Sequence, residues 1–306
     1  MSRHDASFLS PRVLFPFLLV TLIWGSTWIV IRDQFGPVPA MWSVTYRFLI
    51  AAAAMFGYAK WTGASLRIGR NGHLLAILFG VPQFCLNFNL VYAAEHHVTS
   101  GLVAVVFALL LVPNAALSRL FLKHPLSGRF LAGSAIAVAG VALLFVQERR
   151  ASGGREGEVA LGIGLALLAV LSASSANVLQ ATGRLRARPI PAMVAWGMAW
   201  GAACDALLAF AFFGPPAFDA RPDYWAGLLY LGLCASALAF SLYYAIIRAV
   251  GPAKAAYSSL LVPIIAMAFS TAFEGYRWSA WAIAGGILAL AGLVIALRSA
   301  KGAAAA

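Results

Sequence analysis

Apolar residues run along the chain in long blocks, separated by short polar or Gly/Pro-containing breaks. Cutting at those breaks predicts ten helices, near residues 14–31, 40–59, 73–92, 98–118, 128–146, 160–182, 191–213, 224–247, 252–273 and 278–297. Each is about 18 to 24 residues long, and a helix rising about 1.5 Å per residue needs about 20 to cross a hydrocarbon layer of about 30 Å. The predicted fold is therefore an all-α integral membrane protein with ten transmembrane helices. The first block, Leu14 to Ile31, lacks an Ala-x-Ala type cleavage site and reads as a retained helix.

Composition agrees with that pattern. Of 306 residues, 62% are hydrophobic and only 10% charged, against about 25% charged in soluble domains. The net charge of +12 does not point to nucleic acid, because Lys and Arg fall between apolar blocks and not along one amphipathic face. With the N-terminus in the cytoplasm, 15 of the 22 Lys and Arg residues lie inside, six lie outside and Arg47 sits within the second helix. That bias predicts a multi-pass protein of the inner membrane with both termini cytoplasmic. Cys85, Cys204 and Cys234 all fall in apolar blocks and read as small buried hydrophobes.

The longest polar stretch, Gln147 to Glu158, divides two self-similar halves, 1–150 and 151–306. Pro37-Val-Pro-Ala-Met41 recurs as Pro189-Ile-Pro-Ala-Met193, Leu110-Leu-Val-Pro113 as Leu260-Leu-Val-Pro263, and Ala139-Gly140 as Ala291-Gly292, at offsets of 150 to 152. Five helices per half is an odd number, so two copies must sit in opposite orientations. Inverted repeats are a recurring transporter plan, with the substrate cavity between the halves near the midplane. The plan is compatible with a monomer.

Leu22-Ile-Trp-Gly-Ser-Thr-Trp28, Arg47 after Trp42-Ser-Val-Thr-Tyr46, Tyr257-Ser-Ser-Leu-Leu-Val-Pro263 and Phe273-Glu-Gly275 resemble the EamA-like, ten-span branch of the drug/metabolite transporter superfamily. The chain looks most like its aromatic amino acid exporters. The resemblance implies export or facilitated movement of amino acids and other small metabolites through a central cavity. One departure is that Lys123-His124 stands where the family often has Gly-Glu at the end of the fourth span, whereas Glu274-Gly275 closes the ninth.

Hydrogen-bonding groups are costly in lipid unless paired or wet, so their positions mark candidate cavity walls. Gln83 and Asn87 lie four apart in the third helix, with Asn89 and Tyr92 beyond them. Ser174, Asn177 and Gln180 share a face of the sixth. Both stripes either line a cavity or bond neighbouring helices. Trp24, Phe88, Tyr92, Phe107, Tyr243, Tyr244 and Tyr257 each read singly as packing or interfacial aromatics. Beside the amides they suit a pocket for a flat, apolar side chain. Trp24, Gln83, Asn87, Tyr92, Phe107, Asn177, Tyr243, Tyr244 and Tyr257 are thus the expected substrate contacts.

Pro113 and Pro263 each remove a backbone donor in mid-helix, and Pro82 corresponds to Gly232 at an offset of 150. Matched helix breaks point to hinges or a binding site, or are inert kinks. Arg47 and Asp205 are the charges well inside predicted helices. Arg47 reads as shallow snorkelling, and Asp205 as a structural partner or, less simply, a proton site.

His96 and His97, beside Glu95 in a short outer loop, read as solvated loop residues. No catalytic set, metal site or GxxxxGK[ST] loop is present in the sequence, so neither an enzyme nor a cofactor is expected. The sequence favours a secondary transporter of small neutral metabolites, aromatic or other hydrophobic amino acids foremost, working by alternating access. A multidrug or lipophilic-cation antiporter would need a deep carboxylate, and sugar-phosphate exchange a cavity Lys or Arg, which the pattern does not place there. A membrane-embedded lipid enzyme is the remote alternative.

Overall fold

The computed structural model describes residues 10–123, 126–151, 153–250 and 258–303. Among them the chain is helical throughout, with no strand. Eight helices are long and apolar enough to cross a membrane, and two shorter apolar ones follow. In chain order, helix 1 is Pro11–Asp33, helix 2 Ala40–Trp61, helix 5 Gly128–Ala151, helix 6 Glu156–Ala181 and helix 7 Ile190–Phe213. Helix 9 is Ser258–Phe273 and helix 10 Ala280–Ala303.

Helices 3, 4 and 8 are interrupted. Helix 3 runs through Gly69–Gly80, a π-helical turn at Val81–Leu86, and Asn87–Glu95. Helix 8 has the same plan, with Pro222–Leu229, a π-helical stretch at Tyr230–Leu238, and Ala239–Val250. Pro82 and Gly232 therefore both fall in π segments. A π turn inserts an extra residue per turn and is common at functional sites.

Helix 4 consists of Ser100–Ala108 and Leu111–Leu122. It breaks at Leu109 because the Pro113 ring cannot pack against the carbonyl four residues back. Pro263, in contrast, lies inside an unbroken helix 9, so the two matched prolines do not have the same local effect.

The repeated Pro-x-Pro-Ala-Met segments open helices 2 and 7. Pro39 and Pro189 sit at the N-caps with φ of −54° and −62° and extended ψ, and their carbonyls accept from Trp42 N at 2.9 Å and Met193 N at 3.0 Å. Proline suits these sites because a helix start has no use for its missing N–H. Helix 9 ends where Gly275 takes a left-handed φ of 68°. The turn sends Tyr276 N back to Ser270 O at 3.2 Å and leaves Glu274 at the helix end.

Helix 2 packs on helix 7, helix 5 on helix 10 and helix 4 on helix 9, while helix 1 packs on helices 8 and 9 as helix 6 does on helices 3 and 4. Helices 5 and 10 run antiparallel, with Gly133 against Gly292 and Gly140 against Gly285. The main core joins residues of both halves, Phe48, Phe84 and Tyr92 among the first and Met198, Leu231 and Ala235 among the second. Leu18, Leu171, Leu207 and Ile287 point outward and stay exposed, as lipid-facing side chains do.

Candidate functional site

Aromatic rings form a continuous row where helices 1, 2, 3 and 8 meet. Trp24 lies 5.0 Å from Tyr243 and 5.6 Å from Phe240, Phe240 5.7 Å from Phe84, Phe84 5.1 Å from Phe48, and Phe48 4.9 Å from Phe88, between ring centroids. Edge-on and tilted pairs at these separations are the favoured aromatic geometries. Trp28 of helix 1 holds Phe107 of helix 4 at 5.1 Å.

At the end of this row lies Arg47, 1% exposed. Its guanidinium stands 4.3 Å from the Phe88 centroid and 5.3 Å from that of Phe48, and its Nε donates to Ser236 Oγ at 3.1 Å. Tyr92 and Glu95 are its electrostatic neighbours. The expected snorkelling to a membrane surface does not occur. A charge left uncompensated in such a place costs about 3 to 5 kcal/mol, so its neighbours matter. Glu95 is likewise fully buried and not in a solvated loop: it lies seven residues after Phe88 and three after Tyr92, on the face of helix 3 that turns inward.

The two π segments supply backbone acceptors to this region. Trp24 Nε1 donates to Ala235 O at 3.2 Å, Ser236 Oγ to Leu231 O at 2.8 Å, and Ser172 Oγ to Pro82 O at 2.8 Å. Tyr230 OH and Ser26 Oγ share a hydrogen bond of 2.7 Å. Gly232 is required by close approach, since a Cβ there would come within 2.8 Å of Ile50 and 3.1 Å of the Arg47 carbonyl.

The other expected contacts are spread more widely. Gln83 and Asn87 are buried, with Asn87 Nδ2 donating to Gln83 O at 3.3 Å and both side-chain carbonyls unbonded. Asn177 meets Asn114 across helices 6 and 4 at 3.5 Å. Asn89 Nδ2 donates to Asp205 Oδ1 at 2.5 Å and to Cys85 O at 3.0 Å, tying helix 3 to helix 7. Asp205 thus has one oxygen in an inter-helix bond, and its other, Oδ2, is buried without a hydrogen-bond partner. Tyr257 lies outside the described residues, as does the side chain of Tyr244.

At the predicted outer end, Glu274 joins the halves. Its carboxylate accepts from Ser100 Oγ at 2.7 Å and Ser100 N at 3.3 Å, and lies 3.7 Å from Arg32 Nε. Arg32 Nη1 also donates to the carbonyls of Glu95 at 2.7 Å and Val98 at 3.2 Å. Phe35 stacks on His96 with centroids 3.8 Å apart. Partial burial, with His97 and Arg32 nearby, holds the His96 imidazole below its ordinary 6.5, so the ring is neutral at pH 7. Sequence reading missed Arg47, Ser236 and Glu95 as a group; the spacing of Phe88, Tyr92 and Glu95 was the signal that could have found part of it.

Comparison with known proteins bears on what this arrangement serves. The chain matches the EamA-like transporter family twice, over residues 12–146 and 160–298. It is 30% identical over 258 residues to YedA of Escherichia coli K12, described as an uncharacterized inner membrane transporter, covering 83% of this chain and 80% of that one. A probable amino-acid metabolite efflux pump of Salmonella typhimurium is 26% identical over 307 residues, 96% of this chain and 95% of the relative. Protein PagO of Salmonella typhimurium is 29% identical over 136 residues, which span less than half of its length, 45%, and 44% of this chain. A crystal structure 18% identical in sequence superposes with a TM-score of 0.67, covering 94% of this chain and 97% of its own, and shares the fold. The chain is a multi-pass membrane protein and belongs to the EamA-like transporter family.

Proposed function

We propose that this protein is a secondary transporter that exports, or lets pass, small neutral metabolites, aromatic and other hydrophobic amino acids foremost. It works by alternating access between two inverted five-helix repeats, 1–150 and 151–306, that make ten spans with both termini in the cytoplasm. The observation that carries the reading is the aromatic row from Trp24 to Phe88, set between helices of both halves and ending on buried polar groups. A flat apolar side chain is at home along such a row, and the polar end suits an amino acid backbone.

Three further observations support it. Helices 5 and 10 are antiparallel and pack by matched glycines, as inverted copies of one unit do. The family match divides at the middle of the chain. The tie of Arg32, Ser100 and Glu274 links helices 1, 4 and 9 at one end, a contact of the kind that alternation would make and break.

The second reading is a lipophilic-cation antiporter, which would draw on the unbonded Oδ2 of Asp205 or on the buried carboxyl of Glu95. The test is a thermal-shift screen of the purified protein against amino acids and related metabolites. A ligand at one hundred times its dissociation constant adds about 2.7 kcal/mol of apparent stability. Stabilisation by aromatic and aliphatic amino acids is expected; stabilisation by hydrophobic cations alone would overturn the reading.

A further inference from the structure

Arg47 and Glu95 are a basic and an acidic side chain on facing helices, each buried, and each with bonding capacity that the fold does not use. Arg47 commits Nε to Ser236, but its Nη1 has no hydrogen-bond partner. Neither carboxyl oxygen of Glu95 has one, although the residue is 0% exposed. Arg32 reaches Glu95 only at its backbone carbonyl. Between the two poles stands Tyr92, whose hydroxyl lies beside the guanidinium.

The two groups are placed along one stretch of helix 3, Arg47 against it and Glu95 on it. Phe88, Tyr92 and Glu95 follow one another at four and three residues along one face of helix 3. Phe88 covers the Arg47 guanidinium at 4.3 Å, and Glu95 lies one turn beyond Tyr92, an axial rise of about 4.5 Å. A planar guanidinium is matched to a carboxylate, and an unbonded carboxyl to an ammonium. The aromatic row begins where the guanidinium ends.

We propose that Arg47 and Glu95 form the two poles of a zwitterion site, Arg47 taking the α-carboxylate and Glu95 the α-ammonium of an amino acid whose apolar side chain lies along Phe88, Phe48 and Phe84. This inference rests on the amino-acid reading above and sharpens it. A ligand with only a positive charge leaves Arg47 facing a like charge, and one with only a negative charge does the same to Glu95, so both are discriminated against.

The test is binding of four phenyl compounds to the purified full-length protein, by calorimetry at fixed pH: phenylalanine, phenylalaninamide, 3-phenylpropionate and phenethylamine. A hydrogen bond to a charged group contributes enough for roughly a tenfold or larger change in affinity when it is lost. Wild type should bind phenylalanine at least about tenfold more tightly than the amide or the propionate. Arg47→Gln should erase the preference over the amide and keep that over the propionate, with Glu95→Gln doing the reverse.

Equal wild-type affinity for phenylalanine and its amide, or preferences unchanged in both variants, would overturn the zwitterion site and leave the transporter reading intact. Should a variant fail to fold, the wild-type series decides by itself. Failure of all four, together with every hydrophobic amino acid, would instead remove the amino-acid reading and this inference with it.

Discussion

Gly140 of helix 5 and Gly285 of helix 10 face each other backbone to backbone: a Cβ on Gly140 would come within 2.6 Å of the Gly285 carbonyl oxygen, and one on Gly285 within 2.8 Å of the Gly140 oxygen. Gly133 and Gly292 repeat the relation at 2.6 Å and 2.5 Å. In sequence Gly133 corresponds to Gly285 and Gly140 to Gly292, both at an offset of 152. Exchanging the halves therefore turns each contact into the other. Small residues that let helix backbones meet are the usual means of packing helices in lipid, where apolar surface alone gives no preference for protein over tails.

The first prediction concerns this contact. Gly140→Leu has no room to enlarge and should lower stability by about 1 to 3 kcal/mol or more, seen as a fall in the apparent melting temperature in detergent. Gly286→Ala is the control on the neighbouring position, where a Cβ meets nothing within 4 Å. It should be neutral or stabilising by up to about 1 kcal/mol. Equal melting temperatures for Gly140→Leu and wild type would contradict the packing described.

The second prediction concerns the tie at the predicted outer end. Glu274→Gln keeps the shape but removes the charge that holds Ser100 and faces Arg32. Charge-assisted hydrogen bonds are about twice as strong as neutral ones, so the tie should weaken and helices 1, 4 and 9 should part more often at this end. A cysteine placed at Val98 should react faster with a membrane-impermeant maleimide in the Glu274→Gln background, and the labelling side reports orientation as well. Unchanged labelling would mean that the contact does not hold that end shut.

The third prediction separates structure from coupling at Asp205. Its bond to Asn89 makes it a link between helices 3 and 7. Asp205→Asn should leave the pH profile of transport superimposable on that of wild type. Asp205→Ala, which leaves one of the two Asn89 amide hydrogens without its acceptor while the bond to Cys85 O stays, should cost about 1 to 3 kcal/mol of stability. A flattened pH profile in Asp205→Asn would instead assign proton coupling to this residue.

Long elements were legible in the sequence because lipid imposes length and composition on them at once. The block predicted at 40–59 is helix Ala40–Trp61, and that at 191–213 is Ile190–Phe213. The paired prolines marked helix starts for a reason of covalent geometry. What the pattern hid was local and three-dimensional.

Pro82 and Gly232 were visible as weak points, but nothing in their spacing told a π turn from a kink. Arg47 looked like a residue able to reach the surface, since a single helix does not show that Phe48, Phe88 and Ser236 close around its side chain. Glu95 looked like loop because it precedes His96 and His97, yet it ends helix 3 on its buried face. The partner of Asn89, 116 residues away, could be found only once helix 7 was in place.

Counterflow in proteoliposomes tests the central claim most directly. Vesicles loaded with unlabelled phenylalanine should transiently accumulate external labelled phenylalanine above its equilibrium level, saturably, and empty or heat-treated vesicles should not. Absence of accumulation for phenylalanine, tryptophan, leucine and the other hydrophobic amino acids, with correctly inserted and folded protein, would contradict the account.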